Sequence, residues 1–317
     1  MTEISYAPIV VFCYNRIDAI QILFETLQMN ELASKSDLFV FCDGPKSPND
    51  KQETEKVRNF VKNIKGFKTI TIKENENNCG LADSIINGVS KVFEQYDSAI
   101  ILEDDLILSS NFLYWMNQCL QEYQNNDSIF SISGFAPSIL KSYKKSIPDV
   151  FFTMKAHSWG WATWKDRWVQ VDWSLKDWSE FSTNKKKQKE FASIGHEMPG
   201  LLFDYMEGRR STWWARFCYT QFKKRKYTVY PVLSKVINEG FTDASTNCNV
   251  YNRFRVDFDK TGKIQFDLPE VISENNNVSK NFFFYYSISF RIIGKIKTLL
   301  MKMGILKQYT IDYKTIK

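Results

Sequence analysis

Three acidic residues in a row, Glu103-Asp104-Asp105, follow the apolar run Ser98-Ala99-Ile100-Ile101-Leu102. Adjacent carboxylates repel one another, so a fold that holds them together gains from a cation. Hard divalent ions, Mg2+ or Mn2+, bind through one or two carboxylates and complete their shell with phosphate oxygens. The triplet therefore suggests a metal that bridges the protein to a nucleotide diphosphate. The competing reading is a solvated acidic turn that caps the next helix.

The elements around the triplet favour the first reading. Ile9 to Cys13, Leu38 to Cys42, Thr69 to Ile72 and Ile129 to Ser133 are short apolar or β-branched runs without helical period, as is the run before the triplet. Between them, Ile17 to Met29, Leu81 to Tyr96 and Asn111 to Tyr123 carry apolar residues at helical spacing. Ser47 and Asp50 have capping-box spacing and open a polar helix to about Ile64. Strands alternating with helices predict βαβ units and a mainly parallel sheet, doubly wound, over residues 1–135. In such sheets ligands bind beyond the carboxyl ends of the strands, where the triplet falls.

No Gly-x-Gly-x-x-Gly and no Gly-x-x-x-x-Gly-Lys-Ser/Thr follows any of these strands. That argues against a dinucleotide oxidoreductase and a P-loop enzyme. The first strand leads instead into Tyr14-Asn15-Arg16, a loop that offers a guanidinium rather than bare backbone. Two adjacent acids on one strand end also have the wrong separation for the paired carboxylates of a glycoside hydrolase.

Six segments in order carry a resemblance. They are Ile9 to Arg16, Phe41 to Gly44, Asn78 to Ile86, Ile101 to Leu106, Ser158 to Trp164, and Tyr230-Pro231 through Asn238-Glu239-Gly240 to Cys248. Over roughly residues 7–250 the chain resembles the GT-A-fold glycosyltransferases, close to the family 2 bacterial sugar transferases. More distantly it resembles the N-acetylglucosaminyltransferase that initiates complex N-glycans. The resemblance implies an α/β, GT-A-like fold with an aromatic-rich acceptor half (136–273), and the residues beyond it form a C-terminal basic helical tail (274–317). It implies a hexosyl- or N-acetylhexosaminyltransferase that moves a sugar from a nucleotide sugar, a UDP-sugar, to a hydroxyl of a glycan or lipid-linked glycan, with inversion. Arg16 and Asp43 take the places that bind the uracil end. Glu103 falls near the ribose, Asp104 near the donor sugar, and Asp105 is the ligand of Mn2+ or Mg2+. Gly80 and Leu81 open a helix whose N-terminus faces the phosphates, and Trp159, Gly160 and Trp161 face acceptor or sugar.

The general base departs from the resemblance. Relatives carry an acid after a tryptophan before the strand near Pro231, and here Trp214 stands in that place. An indole accepts no proton from a hydroxyl, so another carboxylate is needed. Asp243, Asp204 and Glu207 are the candidates, with Asp243 preferred because it lies in the polar segment Asn238 to Asn249, a lid in relatives.

Composition bounds the rest. Six tryptophans lie between His157 and Trp178, and Trp164, Trp168 and Trp173 are expected in the core. The six cysteines are widely spaced without a Cys-x-x-Cys, which suggests reduced, cytosolic thiols. No signal peptide and no run long enough to span a bilayer is evident. The net charge of +6 resides in the tail, with eight basic and two acidic residues from Glu274 to Lys317. Phe282 to Tyr286 and an apolar stripe, Ile292, Ile296, Leu299 and Met303, accompany that charge. Segment 281–307 is expected to rest on the anionic cytoplasmic face of a membrane or to pack on the domain, and no nucleic-acid motif accompanies it. The alternative to an enzyme is a non-catalytic sugar-nucleotide-binding or membrane-associated scaffold protein.

Overall fold

The computed structural model describes residues 6–138, 148–240 and 250–308. Eight strands form one sheet in the order β3-β2-β1-β4-β8-β6-β9-β7. They are β1 (Ile9–Cys13), β2 (Asp37–Cys42), β3 (Thr69–Glu74), β4 (Ser98–Glu103), β6 (Ile129–Ser133), β7 (Val150–Thr153), β8 (Trp161–Trp164) and β9 (Tyr227–Pro231). β1, β2, β3 and β4 run parallel, and β6 and β9 are parallel to each other. β8 runs antiparallel between β4 and β6, and β7 antiparallel on the edge. This is the mainly parallel α/β layer that the alternating pattern predicts, in the GT-A-like form that the resemblance implies.

Side-chain alternation explains the two layers of helices. Ile9, Val11 and Cys13 point to one face of β1, and Val10 and Phe12 to the other. On the first face pack α1 (Ile17–Gln28), α2 (Lys51–Val61) and α4 (Phe112–Glu122), through Leu23, Val57 and Trp115 among others. On the second pack α3 (Leu81–Val92), α8 (Met198–Met206) and α9 (Trp214–Lys223). Shorter helices α5 (Lys165–Trp168), α6 (Trp178–Thr183) and α7 (Lys185–Phe191) extend the second face. Both faces of the central strands are thus dry, which is why β1 and β4 read as unbroken apolar runs.

A small second sheet was not legible in the sequence. β5 (Leu106–Leu108) pairs antiparallel with β10 (Val236–Asn238). Asp104 and Asp105 form the turn between β4 and β5, so the acidic cluster belongs to a tight reversal and caps no helix. The capping box also resolves differently. The polar helix starts at Lys51, and Asp50 spends its carboxylate on Tyr14 and Ser47 hydroxyls, each at 3.0 Å.

The C-terminal segment divides into two parts with opposite environments. In α10 (Asn276–Phe284) Val278 and Phe282 are buried against β7 and β9 side chains, and Tyr285 and Tyr286 follow them into the same core. This corrects the expectation for segment 281–307: its aromatic start belongs to the domain. In α11 (Ile288–Lys302) the stripe Ile288, Ile292, Ile296 and Leu299 is 52–60% exposed, and Met303 continues it. The stripe therefore does not pack on the domain.

Gly134 marks the crossing of the two sheets. A Cβ there would stand 2.8 Å from both Phe112 and Val236 side chains, closer than carbon atoms pack. Gly134→Ala is expected to cost about 1–3 kcal/mol by overpacking. Urea unfolding of the variant reads this directly, and an unchanged midpoint would show that the crossing is looser than described.

Candidate active site

The carboxyl ends of β1, β2 and β4 open onto one cleft of about 240 Å³. Arg16, Asp43, Gly80, Leu81, Glu103, Asp104, Asp105 and Gly240 all line it. Residues far apart in sequence thus converge because parallel strands end at the same edge.

Arg16 closes the cleft on one side. Its Nη2 bridges Asp104 Oδ1 and, at 3.2 Å, Asp105 Oδ2. Burial pushes the Glu103 carboxyl well above the usual range, and its charged neighbours Asp105 and Asp104 add to that. Asp104 is raised to about 6, mainly by burial, against the pull of Arg16. One guanidinium therefore under-neutralises three carboxyl groups. Two unit charges 4 Å apart still repel by about 4 kcal/mol at an effective dielectric of 20.

That excess charge, on oxygen donors alone, suits a hard divalent ion. Among the described residues no three acidic, histidine or cysteine side chains form a complete metal cage. An ion shared with a diphosphate needs none, since phosphate oxygens and water supply the remaining ligands. Asp105 and Asp104 are the residues that would hold it.

Asp105 is fixed from the other side by β10. Asn238 Nδ2 donates to Asp105 Oδ1 at 3.0 Å, and the Glu239 amide donates to the Asp105 carbonyl at 2.9 Å. A Cβ at Gly240 would overlap the Asp105 carboxylate, so only glycine fits there. The proposed lid begins at this contact. Its residues 241–249, Asp243 included, lie outside the described residues.

Asp43 works as an anchor. Its two oxygens accept from the amides of Gly44, Cys79 and Gly80 and from Asn75 and Asn78 side chains, at 2.9–3.3 Å. The carboxylate thereby holds the Asn75–Gly80 loop at the cleft wall and seats Gly80 before α3. Gly80 adopts φ +77°, a left-handed conformation that favours glycine. The next residues present the first turn of α3 to the cleft. There Ser84 Oγ is buried without a hydrogen-bond partner, a donor the sequence did not mark.

The aromatic motif splits. Trp161 is buried between the rings of Trp213 and Trp168, at 4.7 and 6.0 Å. No ring face is left for a sugar, which corrects its assignment to the site. Trp164 and Trp168 are core, as the sequence suggests. Gly160, at φ +58°, turns the chain so that Trp159 faces a second cleft.

This second cleft, about 570 Å³, lies between the loop before β8, α8, the start of α9 and the C-terminal helices. His157 and Trp159 line it together with Asp204 and Trp214. His157 stacks on Phe135 and is held well below its usual pKa by burial, so it is neutral. Asp204 Oδ1 accepts from Arg209 Nε and Nη2 at 2.9 and 2.7 Å. Beneath the cleft Lys155 is fully buried, over the rings of Trp214 and Tyr286, and pairs with Glu197 Oε1 at 3.0 Å. Glu197 Oε2 is buried with no partner. Glu197 thus lines the same cleft as Trp214, and no signal in the sequence points to it.

No protein-family model matches the chain, and no curated protein does. Among solved structures it is similar to the mannosyltransferase PcManGT from Pyrobaculum calidifontis in complex with GDP-Man and Mn2+. The identity is 13% and the TM-score 0.37, over 51% of this chain and 46% of that one. It is also similar to S. aureus TarS, at 15% identity and TM-score 0.28 over 40% of this chain and 21% of that one. For TarS 1-349 the values are 13%, 0.38, 71% and 60%. The chain spans at most 60% of the length of these three structures.

Asp43→Asn would replace an acceptor of five hydrogen bonds by a group that is half donor. Chemical denaturation should show a loss of at least about 3 kcal/mol, because several buried donors lose their partner. A loss below about 1 kcal/mol would mean that the loop holds itself.

Proposed function

We propose that this chain is an inverting, metal-dependent glycosyltransferase that moves a sugar from a UDP-sugar to a hydroxyl of a growing glycan. The observation that carries the reading is the convergence of Arg16, Asp43, the α3 N-terminus and the Glu103–Asp105 turn on one cleft at the strand ends.

Each group has a task in that chemistry. As the glycosidic bond breaks, negative charge grows on the leaving diphosphate. Stabilising that charge more in the transition state than in the ground state is what accelerates the step. The α3 N-terminus and Ser84 offer donors to phosphate oxygens. Arg16, once released from Asp104 and Asp105, is a guanidinium within reach of the nucleotide. A divalent ion bound at Asp105 and Asp104 supplies Lewis-acid stabilisation of the diphosphate. The acceptor hydroxyl attacks from the opposite face in a single displacement, and a carboxylate takes its proton. Glu197 joins Asp204 and Asp243 as a candidate for that base, because its Oε2 is buried, unpartnered and in the second cleft.

The alternative is a non-catalytic sugar-nucleotide-binding protein. One observation favours it: Trp214 occupies the place of the acid and spends its indole N–H on the Ala156 carbonyl at 3.0 Å. Turnover decides between the two readings. Asp105→Ala should abolish transfer and Mn2+-dependent UDP binding while the fold stays intact, and calorimetry with unchanged UDP affinity would remove Asp105 from the site. The true base replaced by its amide should lower turnover by about 10²–10⁴-fold with UDP affinity preserved. Glu197→Gln, Asp204→Asn and Asp243→Asn form the set. Normal turnover in all three would leave the base elsewhere, and no turnover in the wild type with any UDP-sugar would favour the binder.

The exposed stripe of α11 supports contact with the anionic inner face of a membrane. Lys295 and Lys302 flank it on the same helix, and apolar and basic residues together suit a helix lying in the headgroup region. Among the described residues no helix is long and apolar enough to cross a membrane. Truncation before Asn281 is a poor test, because it removes Phe282, whose buried ring is worth about 3–5 kcal/mol. Ile292→Ser/Ile296→Ser/Leu299→Ser leaves that core untouched. Cosedimentation with phosphatidylglycerol vesicles should fall at least about tenfold in the triple variant, and equal binding would rule α11 out as the contact.

A further inference from the structure

The second cleft holds cations that the donor reading leaves unused. Arg210, Arg253 and Arg291 come from the loop between α8 and α9, the irregular segment before α10, and α11, and all three line it. The acids of the same cleft are already paired, Glu197 with Lys155 and Asp204 with Arg209. Among the described residues none of the three arginines has a carboxylate within ion-pair distance. Arg253 is held against the rings of Phe254 and Phe290. Burial lowers its pKa, the negative charge of Glu197 pulls it back up, and the positive charge of Arg291 adds a smaller lowering. Like charges brought together in a half-buried cleft are unfavourable until an anion arrives. Guanidinium groups match the planar geometry of a carboxylate or the edge of a phosphate. Trp159 and Trp214 supply ring faces beside them, which suit the C–H faces of a sugar or polyol.

We propose that this cleft binds the acceptor and selects one that carries an oxyanion, a phosphate or a carboxylate, next to the hydroxyl that is glycosylated. The cleft adjoins the donor side of the fold: Gly160, just after Trp159, packs against Leu102, which precedes the acidic turn. Its role as an acceptor site rests on the sugar-transfer reading above. Its preference for an oxyanion does not.

Calorimetry on the full chain tests the preference with four probes. Glycerol phosphate and glucuronate carry the two anions, and glycerol and glucose are their neutral counterparts. A charged probe should bind and its neutral counterpart should not, and the stronger of the two anions identifies the source. Arg253→Gln/Arg291→Gln should weaken binding about tenfold or more. Arg210→Gln, at an exposed position, should weaken it severalfold with an unchanged thermal midpoint, so the proposal stays testable if the double variant unfolds. Saturating UDP with Mn2+ should leave the affinity unchanged. Three results would overturn the proposal: neutral and charged probes that bind alike, full affinity in the arginine variants, or displacement of the probe by UDP. If the anion binds as expected but no nucleotide sugar turns over, the cleft stands and the transfer reading falls. If transfer runs to neutral acceptors and no oxyanion binds, the cleft proposal falls alone.

Discussion

Mutual repulsion of three carboxyl groups in one tight turn is the constraint on which the site depends. Glu103, Asp104 and Asp105 have no room to separate, because β4 ends and β5 begins around them. The surrounding structure answers with a guanidinium on one side and with the Asn238 side-chain amide on the other, while the Glu239 amide holds the Asp105 main-chain carbonyl. Neither answer neutralises the cluster. The turn therefore remains a place where positive charge is wanted, and the cleft around it is shaped by that demand. Arg16 is the resident answer, and any further cation would compete with it for the same oxygens.

The same logic, with the sign reversed, governs the other cleft. There the excess is positive, and one of its arginines, Arg291, comes from the helix that also carries the exposed stripe. Arg291 lines the cleft from the helix whose other side presents Ile292 and Ile296 to solvent. Gly294, buried on that helix, lets it lie close to Arg253. α11 thus ties the surface stripe to the cation cluster in one rigid element. A membrane-borne acceptor with a charged group would meet both at once.

The parts of this arrangement legible in the sequence are the local ones. Strands buried on both faces read as apolar runs, and the three acids are consecutive, so both could be seen without a fold. Asp43 and Gly80 could be placed because each ends or begins an element. The bridge from Arg16 to Asp104 spans 88 residues, and no local pattern encodes it. β5 and β10 are three residues each, too short for a period to show. Trp159 and Trp161 have the parity of one strand face, yet a left-handed Gly160 between them sends one to the cleft and the other to the core. Glu197, Arg210 and Arg253 sit in segments without period, Arg291 lies on a helix read only for its apolar stripe, and only the folded chain brings them together.

The contact between Asp105 and Asn238 has a consequence for the order of events in the cell. The partners are 133 residues apart, and β5 finds β10 only after almost all of the sheet has been made. A growing chain emerges from its N-terminus, so the acidic turn leaves the ribosome long before the strand that steadies it. Long-range pairing of this kind is slow, because the loop entropy is lost before the contact is gained. Until Asn238 arrives, Asp105 lacks the side-chain amide that steadies it, and the acidic turn takes its final geometry only when the last short strand docks.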